Sequence, residues 1–238
     1  MPDRVDELME RASTALVATD YFEAERLCLS ALRASRHASD FERMARICLP
    51  LQEARRQKRQ LALDAGARAL IRSKDVLASA VVPGLALVQP PLLGIDARRL
   101  RETADRRAVS MLVLAREPLT LTGRWPIVAV GPLVLRVQVA PPYPVQRDEA
   151  SPSKDHAAEA PDDAWFLAAS EALGDAAIAR LIPGDHPHYR VDDLLDFLDA
   201  HPDHEKLHQR LEEACRAALA VEPPRLPRRR GRDDPYSF

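Results

Sequence analysis

The residues in this chain best suited to chemistry are His204, Glu205 and His208, within the run His204-Glu205-Lys206-Leu207-His208. Four positions apart on a helix, two imidazoles fall on one face with the carboxylate beside them, the set that hydrolysis on a zinc ion requires. His186, His188 and His201 lie in the same region and enlarge the pool of ligands. The element that must carry the motif is a helix from about Asp203 to Ala220, whose apolar face is Leu207, Leu211, Ala214, Cys215 and Ala218. His204 and His208 flank that face, and Pro202 and Asp203 immediately before them place the motif in the first helical turn. No third ligand stands out: Glu212 and Glu213 are on the same helix, and Glu222 is in a proline-flanked end.

This H-E-x-x-H run resembles the signature of the zincins. The resemblance implies that His204 and His208 would bind Zn²⁺ and that Glu205 would activate a water molecule. Lys206 departs from the family pattern, which prefers an uncharged residue there. The plainer expectation is a surface helix with two edge histidines, no cofactor and no assigned catalytic residue. Zinc hydrolysis, with Glu205 catalytic and His204 and His208 as ligands, is the alternative.

Other chemistry is thinner. Ser79, Ser110 and Ser170 have no nucleophile-elbow context, and Glu102, Asp105 and Glu117 either face a cleft or, as is expected beside a βαβ unit, are solvated carboxylates. The loop Pro90-Pro91-Leu92-Leu93-Gly94 holds one glycine and lacks both phosphate-loop patterns, so few amides could close on a phosphate. A small ligand near Leu92 to Asp96, at the carboxyl end of a strand, is therefore a third option. The basic run Glu53 to Gln60 is either a docking strip for an acidic partner or nucleic acid, or a solvated helix face; the latter is expected.

The supporting elements centre on residues 81–142. Leu85 to Val88 is a short apolar run bounded by Gly84 and Pro90, which fits a strand buried on both faces. Asp96 is placed to cap a helix from about Ala97 to Arg107, and Met111 to Ala115 is a second buried run. Strand, helix and strand with short joints predict a parallel βαβ unit. Ile127 to Val130 adds a strand, and Leu133, Leu135, Val137 and Val139 alternate with Arg136 and Gln138 in a half-wet one. A sheet of three to four strands is expected.

Before this stretch lie helical hairpins. Asp3 to Thr19 carries an apolar stripe of Val5, Leu8, Met9, Ala12 and Leu16, and Asp20-x-x-Glu23 starts a second helix after a very short joint. Ser39-x-x-Glu42 caps a third, which Pro50 should kink or split. The segment Ala15 to Leu32, through Asp20, Tyr21, Ala24 and Ala31, resembles the inner half of a tetratricopeptide repeat. That likeness implies a groove for protein partners, although the aromatic and Leu-Gly pair expected upstream are Leu8, Arg11 and Ala12, and the following proline is absent.

The organisation predicted is a helical region over residues 1–75, a small α/β core over 76–142, a flexible linker over 143–163, helices over 164–220 (with a break at Gly174) and a disordered basic tail over 221–238. The fold class is mixed α/β: N-terminal helical hairpins packed on a small βαβ-containing sheet, with C-terminal helices. Aromatic residues make up only 5%, so the core must be aliphatic and rich in alanine, and a net charge of −2 gives no global field toward nucleic acid or membrane. The cysteines Cys28, Cys48 and Cys215 read as buried free thiols of a reducing compartment. No leader or membrane span is visible, so a soluble cytoplasmic protein is expected. The leading functional expectation is a protein–protein interaction or adaptor module with an unidentified protein partner, and an enzyme is the less favoured class.

Overall fold

The computed structural model describes residues 4–77, 79–118, 120, 123–143 and 159–224. Most of the expected linker and most of the basic tail lie outside the described residues. The chain opens with three helices, α1 (Arg4–Val17), α2 (Tyr21–His37) and α3 (Phe41–Asp64). Asp20 caps α2 by accepting from the Glu23 amide, as its spacing predicts. Asp40, not Ser39, caps α3 by accepting from Arg43, because Ser39 turns the chain with a φ of +54°. Pro50 neither splits nor ends α3. The carbonyl it deprives of a donor is that of Arg46, an exposed residue, where water can replace the lost bond.

The sheet is larger than the sequence implies. It runs in the order β1 (Arg68–Ile71), β2 (Gly84–Val88), β3 (Met111–Arg116), β4 (Trp125–Val130) and β5 (Val134–Val139). Strands β1, β2 and β3 pair in parallel, and β4 and β5 add antiparallel. The unexpected fifth strand, β1, begins inside the stretch assigned to helices. At four residues it is too short to show a period. The short helix α4 (Lys74–Leu77) follows it, and α5 (Gly94–Arg106) links β2 to β3 in the expected βαβ unit. Helix α5 starts earlier than Asp96: Leu93 is the N-cap, and Asp96, at the third helical position, accepts from the Leu93 amide at 2.9 Å.

Alternation along the strands explains the layers. Leu85, Leu87, Leu112, Leu114, Trp125, Ile127 and Leu135 face a large core shared with the helical hairpins and the C-terminal helices. Ala86, Val88, Ala115 and Val128 face the other way, onto Ala97 and Leu100 of α5. Burying each such leucine contributes about 1.5–3 kcal/mol. β2 is buried along its whole length, which is why it reads as an unbroken apolar run.

The chain closes with α6 (Asp163–Ala179), α7 (Pro187–Ala200) and α8 (Glu205–Leu219). Helix α8 packs between α3 and α7, while α6 lies on β4 and β5. Helix α6 passes through Gly174 without the expected break. No helix among the described residues is long and apolar enough to cross a membrane.

Candidate functional site

The H-E-x-x-H residues do not converge. His204 is the N-cap of α8, so the motif straddles the helix start, and its side chains meet different neighbours. His208 is buried and uses both ring nitrogens: Nδ1–H donates to the His204 carbonyl at 3.0 Å, and Nε2 accepts from Arg55 Nη1 at 3.1 Å. The lone pair a metal would need is directed at a guanidinium. Burial, reinforced by the Arg55 charge, pushes the His208 imidazole down to about 3, so it is neutral. Glu205 pairs with Arg59. The His204 ring is fully buried, with Nε2 3.3 Å from Glu171 Oε2 and 3.5 Å from Asp175 Oδ1, and Lys206 already neutralises Asp175 at 2.9 Å. His201 Nε2 donates to the Ser170 carbonyl at 2.9 Å, and His186 accepts from the His188 amide at the start of α7. Among the described residues no group of three or more His, Cys, Asp or Glu side chains is arranged to hold a metal ion.

At the other expected locations, Gly94 at the start of α5 packs against Val128 and Val130, and the small enclosed space that it lines with Ala97 and Val128 is about 20 Å³, enough for a water molecule. Glu117 is bound by Arg136 at 2.6 Å. All three cysteines are buried free thiols, and burial pushes Cys28 and Cys215 up to about 12, which makes them poor nucleophiles at neutral pH.

In the basic run of α3, Arg56 and Gln60 are exposed as expected, but three cations depart from that expectation. Arg55, Lys58 and Arg59, at i, i+3 and i+4, do not face solvent: their side chains are 8%, 12% and 14% exposed. Arg55 Nε donates to Glu25 Oε1 at 2.7 Å, and Lys58 donates to Glu25 Oε2 and Asp105 Oδ1, both at 2.5 Å. Arg59 binds the Asp203 carbonyl at 2.8 Å besides pairing with Glu205. Burial raises the Glu25 carboxyl, but Arg55 and Lys58 outweigh it and hold that group down at about 2. Asp105 and Asp203 are raised by burial despite the cations around them.

This charged layer floors a cleft of about 620 Å³ between α2, α3, α5 and α7. Leu29, Leu32, Leu51, Leu195 and Leu198 form its apolar wall, and Arg33, Arg36, Arg98 and Arg101 stand around it with Glu102 and Asp199. A second depression of about 570 Å³ shares Glu25, Leu29, Arg33 and Asp105 with the first and extends to Asp20 and Phe22. Together they follow α2 from its N-cap to His37. A helix of 17 residues is about 25 Å long, so the opening is a groove rather than a hole. Arg101 is rigid here because its guanidinium donates to the Asp199 and Ala200 carbonyls at 2.8 and 2.7 Å, closing the C-terminal end of α7. The sequence hid this site because its residues come from four helices spread between Glu25 and Pro202. One available signal was the i, i+3, i+4 spacing of Arg55, Lys58 and Arg59.

Comparison with protein-family models, curated proteins and solved structures finds no match for this chain. The cleft's own chemistry therefore has to carry the functional reading.

Proposed function

We propose that this chain is a binding module that holds a segment of a protein partner in the groove between the N-terminal helices and α5 and α7. One observation carries the reading: a half-open cleft of about 620 Å³, continued along α2, has a leucine wall and a floor of side chains already locked by one another. Sites of this size sit preferentially where substructures meet, with an apolar lining and a few convergent polar groups. An extended peptide of about seven or eight residues spans about 25 Å. A locked floor also favours capture over chemistry, since Glu25, Lys58 and Arg55 are committed to ion pairs. The likeness of Ala15 to Leu32 to a tetratricopeptide repeat supports the same reading, because concave helical faces of that kind bind peptides. The main cleft's lining has no Phe, Tyr or Trp on which bases could stack, so nucleic acid is not the partner we assign. Buried free thiols fit a reducing, cytoplasmic setting.

The test is selection of a random octapeptide phage library on the immobilised full chain, followed by a counter-screen on Leu29→Glu. Enriched peptides that bind the wild type and lose at least tenfold on the variant, with unchanged circular dichroism, are expected. Absence of enrichment, or binding indifferent to Leu29→Glu, would overturn the proposal.

A further inference from the structure

The ion-pair pattern around the groove is lopsided. Every carboxylate on the main cleft's lining has a cation of the protein itself: Glu25 has Arg55 and Lys58, Asp105 has Lys58, and Glu102 and Asp199 share Arg98. The guanidiniums are not matched in the same way. Arg33 makes only a long 3.4 Å bond to the Ser30 hydroxyl, and Arg101 bonds only to backbone carbonyls; neither has a carboxylate partner among the described residues. Arg55 is buried to 7% exposure, with Nε on Glu25 and Nη1 on His208. Its Nη2 has no hydrogen-bond partner among the described residues, although the residue lines the cleft. A guanidinium that lines a cleft with one of its nitrogens outside its own ion pairs can still donate to a bound acceptor, and a charge-assisted bond is stronger than a neutral one.

We infer that the groove takes an acidic peptide, with one carboxylate received by Arg33, Arg55 and Arg101 and an adjacent apolar side chain lying on the leucine wall; this rests on the binding-module reading above. A basic peptide would find each acid of the main cleft already taken. A single-stranded nucleic acid holds on by stacking its bases, and the main cleft's lining has no Phe, Tyr or Trp to receive them. The planar fork of arginine suits a carboxylate, and Arg101 is held ready by the α7 carbonyls, so little side-chain freedom is lost on binding.

The experiment titrates the full chain by fluorescence anisotropy with three labelled octapeptides, alternating Glu–Leu, Gln–Leu and Lys–Leu, at about 0.05 and 0.5 M salt. The Glu–Leu peptide is expected to bind at least roughly tenfold more tightly than Lys–Leu at low salt, with the margin shrinking as salt rises. Arg33 is exposed, so Arg33→Glu leaves the fold intact; it should weaken Glu–Leu by roughly two- to fivefold and improve Lys–Leu. Equal binding of Gln–Leu and Glu–Leu overturns the acidic assignment and leaves the module reading standing. So does failure of all three peptides while library-selected peptides still bind at Leu29. Failure of both the designed and the selected peptides overturns the two together.

Discussion

The imidazole of His204 lies against Gly174, and a Cβ on that glycine would overlap the ring. This contact ties the start of α8 to the middle of α6 and explains a helical glycine that otherwise looks like a breaker. Gly174→Ala should destabilise the chain by roughly 2 kcal/mol, the overpacking cost exceeding the helix-propensity gain of about 1 kcal/mol. Urea denaturation measures it. In the His204→Ala background the same substitution should become neutral or stabilising, and an undiminished cost there would disprove the contact.

The Glu25–Arg55 pair is buried on both sides. Removing the Glu25 carboxylate leaves the buried Arg55 without an acidic partner, so Glu25→Gln should cost on the order of 3–5 kcal/mol. Glu25→Leu with Arg55→Met should cost less than the sum of the single changes, because neither charge is then stranded. Additive losses in a chemical-denaturation cycle would mean that the two side chains do not depend on each other.

Acid should unfold the protein early. Burial, with Arg55 at His208 and His204 at His201, depresses both imidazoles from 6.5 to about 3. A depressed base takes its proton first in the unfolded chain, so its contribution is intact above pH 6.5 and is lost as pH falls toward 3. Glu25, held at about 2 against an ordinary 4.5, adds its loss only below pH 4.5. Asp105 and Asp203 have the opposite sign: raised by burial, they favour folding as pH falls and offset part of the histidine loss. Between pH 6.5 and 5 each of these two histidines costs on the order of 2 kcal/mol of stability. Urea midpoints that stay level between pH 7 and 5 would contradict this.

Zinc should be irrelevant to stability. With His208 bonded on both ring nitrogens and Glu205 paired to Arg59, protein purified without an affinity tag is expected to carry no stoichiometric zinc and to melt at the same temperature with and without a chelator. Elemental analysis that found one zinc per chain, lost in His204→Ala/His208→Ala, would restore the hydrolase alternative.

Local patterns made the fold legible where one element could speak for itself. The run Leu85 to Val88 declared a strand buried on both sides, Leu135 declared the inward face of β5, and Asp20 declared the start of α2. β1 was illegible because four residues hold no period, and its partner β2 lies beyond an intervening helix. The site was harder still. Arg55, Lys58 and Arg59 looked like a wetted surface because charge normally seeks water. Their burial depends on Glu25, Asp105, Glu205 and the Asp203 carbonyl, which come from elsewhere in the chain. Conversely, the H-E-x-x-H spacing is purely local, and no spacing rule reveals that the N-cap of α8 falls on its first histidine.

Helix α3 depends on residues translated long after it. Its cations are answered by α8 and by the Asp203 turn, which lies about 140 residues downstream. At cellular translation rates of about 5–20 residues per second, the ribosome needs roughly 7–30 s to supply them. Until then the first three helices emerge with an unmatched, half-apolar flank, an obvious handle for a chaperone during synthesis.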